Sequence, residues 1–255
     1  MALMNILIEI SLFSKRKIKE NLRQPVWIAS DLMTPLLYIF LFSPLLKNMS
    51  YPPMTTAEVL NGFVPGILTL LAFSTGMSSG WNIIWELQSG VIERLRVTPA
   101  SRFSILMGGI AADILYFLVP ALLVIVVSSF LGFSIQLMGI AVLLFLLCLL
   151  VTAMSAWVTS IALILKQSSS LAAVVTSLQL PVMLLSGVLL PLSLAPDWLR
   201  AIAHINPMYY TVEASRVLAR GIIISAETIA AFAVMIPLTA AALWWGTSVY
   251  RKTVS

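Results

Sequence analysis

Six long apolar stretches, separated by connections of unequal length, run through the 255 residues of the chain. They cover 26–46, 61–85, 103–131, 137–165, 171–190 and 228–250. Each has about 20 residues or more, enough to cross roughly 30 Å of hydrocarbon as a helix. A membrane β-barrel would alternate apolar and polar positions over segments of about ten residues. The chain has no such alternation, so the expected fold is all-α: a polytopic membrane protein of six transmembrane helices, one domain over 1–255. Ahead of the first span, Leu3, Ile6, Leu7, Ile10 and Phe13 fall at helical spacing, with Asn5, Glu9 and Arg16 off that stripe. The pattern predicts an amphipathic helix over 1–22 lying in the membrane interface, in preference to a frayed basic tail.

Composition agrees with a membrane protein. Residues are 60% hydrophobic and 10% charged, where soluble domains carry about 25% charged residues. A net charge of +5 is compatible with nucleic-acid binding, but the basic residues sit at the ends of apolar runs. Retention of Lys and Arg on the cytoplasmic side explains them better. Cys148 is the single cysteine and His204 the single histidine, which excludes an intrachain disulfide and a cysteine zinc cluster and leaves no metal site to expect. Lys15, Arg16, Lys17, Lys19 and Arg23 follow the first apolar stretch, where a signal peptide would place its charge before it. The start therefore reads as a retained cytoplasmic element.

Counting Lys and Arg with the N-terminus inside puts eleven on the inner side and four, Lys47, Arg200, Arg216 and Arg220, outside. Both termini are expected in the cytoplasm of a multi-pass membrane protein. The connections "GFSIQ" at Gly132 and "KQSSS" at Lys166 are tight, so spans three and four, and four and five, should be antiparallel neighbours. "GFVPG" at Gly62 and "GMSSG" at Gly76 have a spacing of small residues that lets helices approach closely; packing within one subunit is the expected use.

Three regions carry candidate chemistry. On the expected orientation the stretch 89–102, "SGVIERLRVTPASR", faces the cytoplasm. Val91, Ile92, Leu95 and Val97 predict a short amphipathic helix ended by Thr98 and Pro99. Its apolar side calls for a cover: either the lipid surface or the groove of a cytosolic protein. On the opposite side, 191–227 is amphipathic and broken by Gly187, Pro191 and Pro196 just before and within it. A re-entrant hairpin fits, entering near Pro191 and returning near Asn206 and Pro207, since irregular backbone at membrane depth must be enclosed by protein or a wet cavity. Tyr209 and Tyr210 suit the interface, and Glu213 and Arg216 stand three apart on one helix face. Third, Asp113 lies about ten residues into the third span, where an ionised carboxylate costs a few kcal/mol. With Thr75 and Ser78 of the hydroxyl-rich second span it is a candidate for a substrate path, or simply a helix-to-helix bond.

The residues "GVIERLRVTPASR" resemble the cytoplasmic coupling segment of type-2 ABC transporter permeases. "LLSGVLLPLSLAPDWLRAIAHINPMYYTVEASR", 184–216, resembles the second signature of the same family, with its broken extracellular stretch, Asn-Pro and acidic-x-x-Arg. The nearest branch is that of drug and antibiotic resistance exporters of the daunorubicin type. The resemblance implies a permease subunit without catalytic residues, in a prokaryotic inner membrane, that pairs with a second permease and with two copies of an ABC ATPase subunit. ATP and Mg would sit on that ATPase. No lysine of the chain follows a glycine, so a phosphate-cradling loop of the Gly-Lys-Ser/Thr type is missing and the ATPase is expected on a separate subunit. On the same resemblance Gly90, Glu93, Arg94, Arg96, Thr98, Pro99 and Arg102 would couple to it. Pro191, Asn206, Pro207, Tyr209, Glu213 and Arg216 would form an extracellular gate. The expected cargo is a hydrophobic or amphipathic drug, antibiotic or lipid-like molecule. Export of a lipid-linked polysaccharide and an ATP-independent channel are the alternatives.

Overall fold

The computed structural model of the protein describes residues 2–22, 32–41, 55–96, 101–188 and 196–254, and all of its described regular elements are helices. Most of the predicted 26–46 span, Thr98, Pro99 and Pro191 lie outside the described residues. In chain order the helices are α1 (Ala2–Leu22), α2 (Leu32–Leu41), α3 (Thr56–Gln88), α4 (Val91–Arg96), α5 (Arg102–Phe130), α6 (Leu137–Leu165), α7 (Ser168–Leu184), α8 (Asp197–Ala203), α9 (Pro207–Ala219) and α10 (Ala226–Val254).

Among the described residues four helices, α3, α5, α6 and α10, are long and apolar enough to cross a membrane, and α2 and α7 are shorter apolar helices. Two boundaries differ from the sequence expectation for local reasons. Helix α3 starts at Thr56, five residues before the expected 61, because Thr55 and Glu58 form a reciprocal cap: the Thr55 amide donates to Glu58 Oε2 at 2.8 Å and the Glu58 amide to Thr55 Oγ1 at 3.3 Å. Helix α7 stops at Leu184 although apolar residues continue to Leu190. Gly187 there takes a left-handed backbone, φ 75°, and its carbonyl accepts from Arg216 Nη2 at 2.7 Å.

Helix α3 is the axis of the body, packed by α5, α6 and α9, while α6 also carries α10. Glycines set the closest approach. A Cβ at Gly76 would meet Met154 Cβ at 2.5 Å, and one at Gly80 would run into Val158, so the "GMSSG" motif is the seam between α3 and α6. Helices α5 and α6, joined through 131–136, pack on each other, as do α6 and α7, joined by Lys166 and Gln167 alone. Lys166 adopts φ 56° to make that second turn.

Helix α1 does not stand off from the body: it packs along α5. Its contacts climb α5 in step. Glu9 Oε2 accepts from the Ser101 amide at 3.2 Å, a Cβ at Gly108 would meet Phe13 Cβ at 2.5 Å, and Lys17 reaches Gly109 and Asp113.

Helix α9 is buried among α3, α6 and α10, with Met208, Thr211, Val212, Ser215 and Leu218 enclosed. Its last turn meets the start of α6, where a Cβ at Gly139 would collide with the Leu218 carbonyl. Its first residue, Pro207, lies beside the same cavity as Phe73 and Met77, near the middle of α3. Thirteen residues span roughly 20 Å at 1.5 Å each, so α9 runs from mid-height of the body out to one end.

Candidate functional site

The chain turns out of α3 through Ser89, whose hydroxyl donates to the Trp85 carbonyl at 2.8 Å, and Gly90, whose φ of 71° only glycine adopts freely. Helix α4 follows and packs on both α3 and α10. Ile92 is buried, while Glu93 and Arg94 are exposed. The expectation that the apolar side of this helix calls for lipid or a partner's groove is corrected for Ile92: α3 and α10 belong to the core that covers it. What α4 offers outward is its charge. Arg96 closes the helix, and Arg102 opens α5 behind a Ser101 cap whose hydroxyl accepts from the Ser104 amide at 3.0 Å.

Eleven residues into α5, Asp113 is buried at a meeting of four helices. Lys17 Nζ of α1 lies 3.0 Å from Asp113 Oδ1. The other carboxylate oxygen accepts from Ser79 Oγ of α3 at 2.6 Å and Ser155 Oγ of α6 at 2.5 Å. Ser155 Oγ and Ser79 Oγ lie 2.8 Å apart, and Thr159 Oγ1 stands 3.2 Å from Ser79. Seven residues further along α3, toward α4, Arg16 Nη2 donates to Glu86 Oε1 at 2.7 Å. Asp113 is thus matched in charge and hydrogen bonding from inside the chain, as a buried carboxylate must be.

Its sequence-predicted companions are elsewhere. The Thr75 hydroxyl donates to the Leu71 carbonyl at 2.9 Å and the exposed Ser78 hydroxyl to the Thr75 carbonyl at 2.8 Å, so each caps its own helix backbone rather than extending a path from Asp113. Lys17, Ser155 and Thr159 were absent from the candidate set. A signal for the hydroxyls exists in α6, where Thr152, Ser155 and Thr159 repeat at helical spacing in an otherwise apolar run.

At the start of α9, Asn206 Oδ1 accepts from the Met208 amide at 3.0 Å, and its Nδ2 donates to the Val182 carbonyl of α7 at 2.7 Å. Pro207 takes the first helical position, where no amide hydrogen is needed. The rings of Tyr209 and His204 meet edge-on with centroids 4.9 Å apart, and Tyr210 Oη donates to the His204 carbonyl at 2.9 Å. Glu213 and Arg216 pair at 2.8 Å, and Arg216 spends its other arm on Gly187. Asn206 and Arg216 therefore tie α9 to α7 and the turn after it, with Glu213 paired to Arg216 and Tyr209 packed on His204. Below them lies a cavity of about 440 Å³, lined chiefly by Phe73, Met77, Met154, Trp157, Leu178 and Trp245. Asn206 is its one strongly polar lining side chain, and both ends of that side chain are already engaged. No cluster of three or more His, Cys, Asp or Glu that would hold a metal ion occurs among the described residues.

A bundle with four helices long and apolar enough to cross a membrane is that of an integral membrane protein. Residues 8–219 match the ABC-2 type transporter family, and the chain belongs to that family. It is similar to the transport permease ycf38 of Cyanophora paradoxa, with 30% identity over 82% of this chain and 73% of that protein. The ycf38 permease of Porphyra purpurea is 28% identical over 83% of this chain and 74% of that protein. The daunorubicin resistance ABC transporter permease protein DrrB1 of Streptomyces coeruleorubidus is 23% identical over 77% of this chain and 70% of that protein.

Proposed function

We propose that the protein is the permease subunit of an ATP-driven exporter, working as a pair with a second permease and two separate ATPase subunits. The cargo is a hydrophobic or amphipathic molecule taken from the cytoplasm or inner leaflet. On this reading α2 and α7 belong to two further spans, giving six, and both termini face the cytoplasm. The chain enters the membrane again from the outer side through α8 and α9.

The observation that carries the reading is the placement of α4. It is anchored by Ile92 and packed on α3 and α10, and it presents Glu93 and Arg94 outward. A short rigid helix with an anchored inner side passes a push from a cytosolic partner into the spans, and exposed charges set the partner's register. The apolar cavity beside Asn206 supports an apolar cargo, because its lining offers packing and scarcely any free polar contact.

The test is vesicle transport with the cognate ATPase, using daunorubicin and a lipid-linked oligosaccharide as separate probes. ATP-dependent accumulation of daunorubicin by the parent protein, cut by about tenfold or more in Glu93→Lys with Arg94→Glu, is the expected result. Accumulation of the oligosaccharide alone would move the cargo class to the glycoconjugate alternative. Transport in vesicles without the ATPase would make the protein a channel.

A further inference from the structure

Of the charges in the body, one pair stands apart for its depth and completeness. Lys17 and Asp113 have side chains 8% and 4% exposed, and they join the N-terminal helix to the middle of a membrane span. Lys17 is one of the five basic residues that the sequence assigns to the inner flank, where contact with headgroups would be its ordinary use. Instead its ammonium lies 3.0 Å from Asp113 Oδ1 and 3.5 Å from the Gly109 carbonyl. The carboxylate is fixed from the far side by Ser79 and Ser155, on two other helices. Every bond in this group is directional, and the α1 contacts at Ser101 and Gly108 agree with it in register. Sliding α1 by one turn, about 5.4 Å, would break all three at once.

Burying two charges is a poor way to gain stability, since a well-packed apolar pair does as well or better; what a buried pair does supply in attested cases is register. We propose that Lys17 and Asp113 are positioning residues for energy coupling. They lock α1 to α3, α5 and α6 in one register, so that these four elements move as a single body when the ATPase closes. The inference rests on the permease reading above.

The experiment uses the full-length permease with its cognate ATPase in nanodiscs, in a Cys148→Ser background carrying Ser14→Cys. Ser14 is buried in α1, so maleimide labelling at this position reports whether α1 is docked. The coupling readout is the ATPase rate of the complex relative to the ATPase alone. Three variants are compared: Lys17→Met, the apolar pair Lys17→Met with Asp113→Leu, and the swapped pair Lys17→Asp with Asp113→Lys. The parent should stay protected with and without ATP and vanadate, and should alter the ATPase rate. Lys17→Met should label faster by about tenfold. The apolar pair, which leaves no charge unpaired and therefore assembles even if Lys17→Met does not, should lose the permease effect on ATPase rate, and the swapped pair should retain it.

An apolar pair that couples as well as the parent overturns the proposal, because it reduces the ion pair to a replaceable packing element. Nucleotide-driven labelling of the parent overturns it as well, by showing that α1 leaves α5 during the cycle. A parent permease without effect on the ATPase rate defeats the coupled-permease reading itself, and the inference with it.

Discussion

Around Asp113, α1, α3, α5 and α6 meet through polar atoms, with each carboxylate oxygen used and glycines removing the space between backbones. Around Asn206, the same α3 and α6 part from α7 and α10 and leave about 440 Å³ between aromatic rings and methionines. Hydrogen bonds and ion pairs prescribe one geometry, whereas dispersion contacts accept several, and methionine accepts the most. The first region is built to hold position and the second to be refilled. On the proposed function, holding and passing fall to different faces of the same helices at overlapping height: Ser155 of the polar cluster lies between Met154 and Trp157 of the cavity, and Ser79 two residues from Met77.

The largest break in this contrast should come from adding volume where there is none. In Gly108→Leu the new side chain would meet Phe13 Cβ and the Ile10 carbonyl, within 2.5 and 3.2 Å of the added Cβ alone. Overpacking of this kind costs about 3 kcal/mol, against a helix-propensity gain of roughly 1. Thermal unfolding in detergent should fall by several degrees, and α1 should become accessible to protease. Gly62→Ala, with no atom within 4 Å of its added Cβ, is the matched control and should leave the midpoint unchanged or slightly raised. Equal midpoints for Gly108→Leu and Gly62→Ala would show that α1 is not seated on α5.

Much of the polar region was beyond reach of the sequence, and the reason is physical. Hydrophobic period gave α6 its exact ends, 137 and 165, because a polar turn flanks it on each side. The same reading expected a short helix between Gly90 and Pro99, where α4 runs from Val91 to Arg96, and it found Glu213 with Arg216 because those residues are neighbours on one helix. Lys17 and Asp113 are 96 positions apart in sequence and meet only once α1 has docked. Read locally, Lys17 belongs to a basic flank, and Asp113 to a substrate path or to a helix-to-helix bond whose partner the sequence does not name. Ile92 likewise looked uncovered, because nothing in its own segment reveals that α10, at the far end of the chain, packs across α4. Periodicity names the face of a helix, but not the element that will cover it.

A middle-sized effect should appear where the two regions' chemistries overlap, at Asn206. Its side chain is a helix cap on one side and the donor to the Val182 carbonyl on the other. Asn206→Ala removes both, at a cost of about 1–2 kcal/mol. Asn206→Ser keeps a capping oxygen and loses the donor, so it should fall between the alanine variant and the parent. If the serine variant gives the same midpoint as the parent, the bond to α7 contributes nothing and the roof of the cavity is held by other contacts.

The smallest effect on stability should come from the cavity itself, and for that reason it is the sharpest test of the contrast. Ala241→Leu adds three heavy atoms to the lining, next to Trp245 one helical turn on. Free volume and adaptable neighbours should absorb them, for a change within about 1 kcal/mol in either direction. That change is well below the cost of similar growth at Gly108. If the cavity is where cargo passes, the same substitution should lower transport of a bulky amphipathic probe while leaving the ATPase rate of the complex intact, since α1 and α4 are untouched. A fall in midpoint as large as that of Gly108→Leu would mean that the space is closed in the working protein. The division between a holding region and a yielding one would then be lost.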